Sequence, residues 1–320
     1  MRALGVLTSG GDAPGMNAAV RAVVRQALAL NVQVLGIARG YAGLIQGDFR
    51  HMTSGSVADI IHRGGTVLLT ARCPEFESQA GQKVAALENL YREGIEGLIV
   101  IGGEGTLKGA LSLAHKGFPV VGVPATIDND IWGTDYSIGF DTAVNTAVEA
   151  IARIRDTATS HERVFIIEVM GRHTGHTALA AGIAAGAESI LIPEFPIDYR
   201  EVAERIERGR RRSKLHSIIV VAEGVGKIEE VAREIRDRTR LESRITILGH
   251  IQRGEAPTAF DCLLASRLGS QAVKLLVEGK KGVMVGVEGK GLVVRNLEEV
   301  LSRKKLIDPE LYKLAQVLAL

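Results

Sequence analysis

"ALGVLTSGGDAPGMNAAV", residues 3–20, decides the fold. Its first five residues form an apolar run, which Thr8 and Ser9 extend to strand length. A Gly-Gly turn follows, and from about Met16 the apolar residues take helical spacing. A strand that turns tightly into a helix is one βα unit of a mainly parallel sheet. Short apolar runs of the same kind recur along the chain as "VQVLGIA", "TVLLT", "GLIVIGG", "PVVGVP", "VFIIEVM", "SILIP", "SIIVVAEG" and "ITILGH". Between them lie helical stretches such as "NAAVRAVVRQALAL" and "QKVAALENLYREG". In another, Phe140, Val144, Ala147, Val148, Ile151 and Ile154 share one face. The chain reads as an α/β protein with mainly parallel sheets flanked by helices, and the helix from Phe140 carries it from one lobe to the next.

With 320 residues there is chain enough for two lobes with sizeable cores. An apolar content of 46% and a charged content of 24% describe an ordinary globular protein. The formal charge of +2 is too balanced for a nucleic-acid footprint. Cys73 and Cys262 cannot build a disulfide framework and suit a reducing cytoplasm. The apolar run near the N-terminus is too short for a signal-peptide core, and no run approaches a membrane span. The expectation is a cytoplasmic protein with neither membrane nor nucleic acid as partner.

In parallel α/β sheets ligands sit outside the carboxyl ends of the strands, so the residues after each apolar run carry the functional reading. "GGDAPGMNAAV" (Gly10–Val20) lets backbone N–H groups approach an anion at a helix N-terminus. It has neither the Gly-Lys-Ser/Thr ending of a phosphate-binding P-loop nor dinucleotide spacing. A plain strand-to-helix turn with Asp12 as cap reads equally well. "GGEGTLKGA" (Gly102–Ala110) repeats the device. There Glu104 could meet a Mg²⁺ carried by phosphates, or simply favour a helix dipole. Gly105 leaves room for a bulky ligand and Thr106 can donate to it. "TIDND" (Thr126–Asp130) places two carboxylates and a hydroxyl beside a buried strand. Transfer of a phosphoryl group to an alcohol needs a proton acceptor there and a second carboxylate near the metal, whereas an Asx-rich turn is the plain alternative. In the second half, Gly171, Arg172 and His173 follow "VFIIEVM", Glu223 ends "SIIVVAEG", and Arg244, His250 and Arg253 surround "ITILGH". Arg suits bidentate recognition of phosphate oxygens. Acid and glycine in one half, Arg and His in the other, suit a phosphotransferase acting from a Mg-bound donor onto a phosphorylated sugar.

Taken together, "TSGGDAPGMNA", "RGGTVLLTARCPEF", "IGGEGTLKGA", "PATIDND", "TDYSIGFDTAVNTA", "RDTATSHERVFIIEVMGRHTGH", "VAEGVG" and "LGHIQRG" resemble the bacterial 6-phosphofructokinase family along nearly the whole chain. The resemblance implies two Rossmann-like lobes with the active site in the cleft between them. Residues 1–138 plus 256–303 would form the ATP lobe, and 139–255 plus 304–320 the fructose 6-phosphate lobe. It implies transfer of the γ-phosphoryl of MgATP to the sugar's 1-hydroxyl, in a homotetramer often regulated by ADP or phosphoenolpyruvate. Asp128 would be the base, Thr126 and Arg172 would stabilise the transferring group, and Asp130 would organise the Mg²⁺ region. Gly11, Arg72, Cys73, Gly103, Glu104, Gly105 and Thr106 would line ATP and the metal, with Glu104 on the metal side. Fructose 6-phosphate would meet Met170, Gly171, Arg172, Glu223, His250 and Arg253, with Arg163 and Arg244 reaching its 6-phosphate across a subunit interface. Arg21, Arg25, Asp59, Arg155, Gly186, Glu188, Arg212 and Lys214 would form an effector site. From charge pattern alone, Arg205–His216 is most simply a solvated basic helix end.

Four departures qualify that pattern. Glu104 stands where Asp is usual. Ala125 stands where ATP users carry Gly and pyrophosphate users Lys. Glu255 replaces a frequent Gly near Arg253. Ser54 and Leu215 thin the effector cations, which implies a weak or altered allosteric response. Ala125 and Gly105 together favour ATP over pyrophosphate as donor. A catalytically weak regulatory paralogue is the reading from a different class.

Overall fold

The computed structural model describes residues 1–71, 73, 76, 80–214 and 216–319. They divide into two compact units, the first formed by Met1–Thr142 with Arg253–Lys305 and the second by Ala143–Gln252 with Leu306–Leu320. The expected limits at 138/139, 255/256 and 303/304 therefore differ from these by two to four residues. At the first limit the difference has a clear cause. The buried carboxylate of Asp261 accepts from Gly139 N (2.9 Å), Thr142 N (2.8 Å) and Thr142 Oγ1 (2.6 Å). That clamp holds the beginning of the helix Phe140–His161 to unit 1.

The strands are β1 (Ala3–Ser9), β2 (Gln33–Ile37), β3 (Phe49–Met52), β4 (Leu98–Gly102), β5 (Val120–Pro124), β6 (Val164–Val169), β7 (Ser189–Leu191), β8 (Ser217–Ala222), β9 (Ser243–Ile247), β10 (Val283–Glu288) and β11 (Gly291–Asn296). The helices are α1 (Met16–Ala29), α2 (Gly40–Gln46), α3 (Ala80–Arg92), α4 (Glu104–Ala114), α5 (Phe140–His161), α6 (His176–Ala184), α7 (Tyr199–Arg211), α8 (Ile228–Thr239), α9 (Ala259–Val277), α10 (Leu297–Ser302) and α11 (Pro309–Leu318).

Unit 1 is built on a seven-stranded sheet of order β11-β10-β5-β4-β1-β2-β3. Its inner strands run parallel, and β3 and β11 close the edges antiparallel. Alternate residues of these strands point to opposite faces. Leu7, Leu35, Ile37, Leu98 and Val100 pack with Leu44, Leu90, Leu107 and Leu297 from α2, α3, α4 and α10. α1 and α9 pack against each other and against the sheet. A Cβ on Gly269 would lie 2.7 Å from Ala19 O, so only glycine permits their close approach there.

Unit 2 has a parallel four-stranded sheet of order β7-β8-β6-β9. Ile218 and Val220 face α5, α6 and α11, whereas Ile219 and Val221 face α7 and α8. This continuous apolar pattern marks a strand buried on both faces.

One expected strand does not form. "TVLLT" (66–70) is a strap over the end of β1, not a ladder member. Its backbone finds partners outside a ladder: Val67 N donates to Asn17 Oδ1 (2.7 Å), and Leu69 takes φ 61. Thr66 Oγ1 bonds Thr8 Oγ1 (2.8 Å), and Thr70 Oγ1 donates to Gly10 O (2.7 Å). The hydroxyls make it a strap. Conversely, β3, β10 and β11 have no counterpart in the sequence reading.

Candidate active site

The strand order of unit 1 reverses at β1, because the chain leaves it for β2 on one side and returns to β4 on the other. Ligands of open α/β sheets bind at such a switch point. Ser9 is level with Gly102, and Gly102 with Pro124. Gly10–Gly11, Gly103–Glu104 and Ala125–Thr126 therefore leave three adjacent strands side by side. α1 and α4 each open on a glycine, Gly15 and Gly103, that supplies no side-chain cap. Apart from Met16 N, which donates to Ala13 O (3.1 Å), the N–H groups of their first turns are disposed toward an anion.

The two turns are locked to one another. Thr106 Oγ1 donates to Ser9 O (2.9 Å), and Tyr41 OH donates to Thr106 O (2.7 Å). A Cβ on Gly102 would stand 2.4 Å from Thr106 Oγ1 and 2.5 Å from Ser9 O, so glycine there is a steric requirement. Thr106 thus spends its hydroxyl proton inside the protein, whereas the sequence reading directs it to a ligand. Glu104 is exposed and pairs with Lys108 at 2.7 Å. Among the described residues no cluster of three or more His, Cys, Asp or Glu could hold a metal. An exposed carboxylate at a helix N-terminus fits a Mg²⁺ that takes most of its ligands from phosphates and water. Cys73 is half-buried against the unit 1 core, and Arg72 lies outside the described residues. Arg253 belongs to unit 1, where its Nη1 donates to Asp12 O (2.9 Å) and its guanidinium crowds Gly11. Its place is at the first glycine turn.

The acidic loop after β5 is tightly held. Thr126, Asp128 and Asn129 are buried and Asp130 half-buried. Asp128 N donates to Thr126 Oγ1 (3.2 Å), and Ser137 Oγ donates to Thr126 O (2.7 Å). Asn129 adopts φ 50, a left-handed conformation that Asn tolerates better than most residues. Its side chain bridges the loop, accepting from Ser137 N (2.9 Å) and donating to Asp135 O (3.1 Å). Lys305 Nζ donates to the same carbonyl at 2.7 Å. Burial pushes the Lys305 ammonium down to about 8 against the opposing pull of Asp135 and Asp130. Neither Asn129 nor Lys305 stood out in the sequence. Asn129 was hidden among turn-forming residues, and nothing local signals a lysine that acts so far along the chain.

In unit 2, Met170–Arg172, Glu223 and His250 gather at the carboxyl ends of β6, β8 and β9. Arg172 N donates to Glu223 Oε2 (3.3 Å), with Arg172 at φ 54. Met170 N donates to the fully buried Gln252 (2.9 Å). A Cβ on Gly171 would stand 2.5 Å from Thr174 O. Burial, then the charges of Glu223 and Glu229, push the Glu168 carboxyl up. Arg163 and Arg244 lie elsewhere: both pair with Glu242, and Arg244 is level with Phe165 at the amino end of β6. Five residues of strand, roughly 16 Å, separate that level from Met170. One chain does not bring them to the Met170 cluster.

Of the expected effector residues, four converge in unit 2. Arg155 donates to Ala185 O and Gly186 O, and Lys214 pairs with the buried Glu188, which also accepts from Ile218 N. His216, which the sequence reading passed over, joins them through Thr159 Oγ1 (3.0 Å). Its imidazole is pushed down, chiefly by burial. Arg212 is exposed just beyond α7. Arg21, Arg25 and Asp59 belong to unit 1, Arg21 half-buried and the other two exposed. Leu215 lies outside the described residues.

Two uncapped glycine–helix turns beside a strand-order switch, with a buried carboxylate loop on the next strand, define an α/β protein built to hold a phosphorylated ligand. A profile of the family described as phosphofructokinase matches residues 3–276. The chain is 59% identical to an ATP-dependent 6-phosphofructokinase of Halalkalibacterium halodurans and 57% identical to one of Bacillus subtilis, over 100% of both chains in each case. A phosphofructokinase structure from Saccharomyces cerevisiae matches with TM-score 0.87 and 35% identity, over 94% of this chain and 45% of that one. A pyrophosphate-dependent phosphofructokinase from Marinobacter aquaeolei (TM-score 0.85, 23% identity, 97% and 86% covered) shares the fold. The chain belongs to the phosphofructokinase family. Among the described residues no helix is long and apolar enough to cross a membrane.

Proposed function

We propose that this chain is an ATP-dependent 6-phosphofructokinase. It transfers the γ-phosphoryl of ATP to the 1-hydroxyl of fructose 6-phosphate, giving fructose 1,6-bisphosphate and ADP, a glycolytic step in the cytoplasm. One observation carries the proposal most directly: a buried carboxylate, Asp128, follows β5, which pairs with β4 as β4 pairs with β1, and the glycine turns after β4 and β1 open on helix N-termini. Whole-length identity to relatives named for this reaction supports it. Asp128 accepts the proton of the 1-hydroxyl as its oxygen attacks the γ-phosphorus, and the bond to the β–γ bridging oxygen breaks to release ADP. Gly11 and Gly103 to Thr106 hold the phosphates, while Thr126 and Arg172 steady the transferring group. Glu104 would hold a Mg²⁺ carried by the phosphates, with Asp130 helping to organise that region, and the ion would supply positive charge to the phosphate oxygens. Met170, Glu223 and His250 receive the sugar. Arg253, placed at the first glycine turn, is assigned to the phosphate-bearing side of the reaction.

The position of Arg163 and Arg244, at the other end of the unit 2 sheet, favours their serving a neighbouring subunit's sugar phosphate in a homotetramer. The cluster of Arg155, Gly186, Glu188 and Lys214 is the effector site for ADP or phosphoenolpyruvate. Ala125 offers no cation to a pyrophosphate, which favours ATP as donor. The test is product formation with each donor in turn. Turnover with ATP supports the assignment, and turnover with pyrophosphate alone overturns it.

A further inference from the structure

The loop that carries Asp128 is held from a distant part of the chain. Asp135 is its hub: Asp135 N donates to Val287 O (2.8 Å), and its carboxylate accepts from Gly289 N (2.7 Å). The Asp135 carbonyl takes two donors, Asn129 Nδ2 at 3.1 Å and Lys305 Nζ at 2.7 Å. Asn129 stands between the two carboxylates, and its left-handed backbone sets the directions in which Asp128 and Asp130 leave the chain. The segment before Lys305 grips the same loop, because the Arg303 guanidinium lies 4.5 Å from the Trp132 ring centroid. A carbonyl that already has one donor needs no ammonium to be satisfied. A half-buried cation costs desolvation energy, which a purely structural contact would avoid. Its charge faces Asp130 and Asp135, offsetting the repulsion between carboxylates crowded into one loop.

We infer that Lys305 is a positioning residue for Asp128, acting through the Asp135 carbonyl and the Asn129 side chain. The inference rests on the reading of Asp128 as base, and it assigns to Lys305 no contact with substrate. Lys305→Met removes the cation and the donor, Lys305→Gln keeps a neutral donor, and Lys305→Arg keeps both. Steady-state kinetics of the full chain, with wild type and Asp128→Asn alongside, decides it. Since loss of alignment far from the chemistry can cost about 100-fold, Lys305→Met is expected to lower kcat by roughly 10- to 100-fold. KM for ATP and fructose 6-phosphate should stay within about threefold, and Lys305→Arg should recover most of kcat. If Lys305→Met does not fold, Lys305→Gln, which keeps a donor but not the cation, is read instead and is expected to lower kcat by roughly 3- to 10-fold at constant KM. A kcat within about twofold of wild type, a change confined to KM, or equal losses in the Met and Arg variants would overturn the inference. An inactive wild type, or an undiminished Asp128→Asn enzyme, instead removes the base assignment and this inference with it.

Discussion

Lys305 makes a quantitative prediction about stability that is separate from its effect on turnover. Its ammonium falls from 10.5 to about 8 in the folded protein, chiefly through burial. Between those values the unfolded chain binds a proton that the folded chain does not, so stability rises with pH. The gain is present in full above the unfolded value and is lost as pH falls through about 8. A difference of about 2.5 units at 1.36 kcal/mol each amounts to about 3 kcal/mol. Lys305→Met cannot show this gain, because it has nothing to titrate there. The assay is urea unfolding of wild type and variant at steps from about pH 7 to pH 11, with contributions from other lysines and tyrosines cancelling in the difference. The sole tryptophan, Trp132, reports on this loop through its own fluorescence, since it lies beside Arg303. Relative to the variant, wild type should gain about 3 kcal/mol across that range. A difference that stays flat within about 0.5 kcal/mol would refute a desolvated ammonium at Lys305.

Other perturbations test other parts of the architecture. Asp261→Ala orphans Gly139 N, Thr142 N and the Thr142 hydroxyl in a fully buried setting, and should cost about 3 kcal/mol or more in denaturant unfolding. Gly102→Ala drives a methyl against Thr106 Oγ1 and Ser9 O, so it should destabilise by about 1–3 kcal/mol and weaken ATP binding in calorimetry. Arg163→Ala and Arg244→Ala remove a half-buried and an exposed guanidinium, and each should raise KM for fructose 6-phosphate roughly 10- to 100-fold with KM for ATP unchanged. An unchanged KM for the sugar would withdraw both from the phosphate site.

Much of the α/β layering was legible because period-2 and period-3.6 patterns report burial directly. β6 and β8 are buried on both faces, and their apolar runs say so. The strap at 66–70 has the same apolar look, but the Asn17 side chain and the Thr8 hydroxyl take up backbone groups at Val67 and Leu69, and its own threonine hydroxyls bond Thr8 and Gly10. Such long-range rivals leave no local mark. β10 and β11 form an antiparallel hairpin, and the alternating valines of "VMVGVEGKGLVVRN" carry its period-2 pattern in the sequence. At the site, the glycine turns and "TIDND" were visible because phosphate chemistry restricts residue type and spacing. The place of Arg253 against Gly11 and the grip of Lys305 on Asp135 were not. Both join residues more than 150 positions apart, and only folding brings them together.

The central claim is tested most directly by measuring fructose 1,6-bisphosphate formed by the purified protein with Mg²⁺ and either ATP or pyrophosphate, beside Asp128→Asn. That variant removes the base while nearly preserving its shape. The account predicts robust turnover with ATP that collapses in the variant by roughly 100-fold or more. Turnover with pyrophosphate alone, or an Asp128→Asn enzyme as fast as wild type, would contradict it.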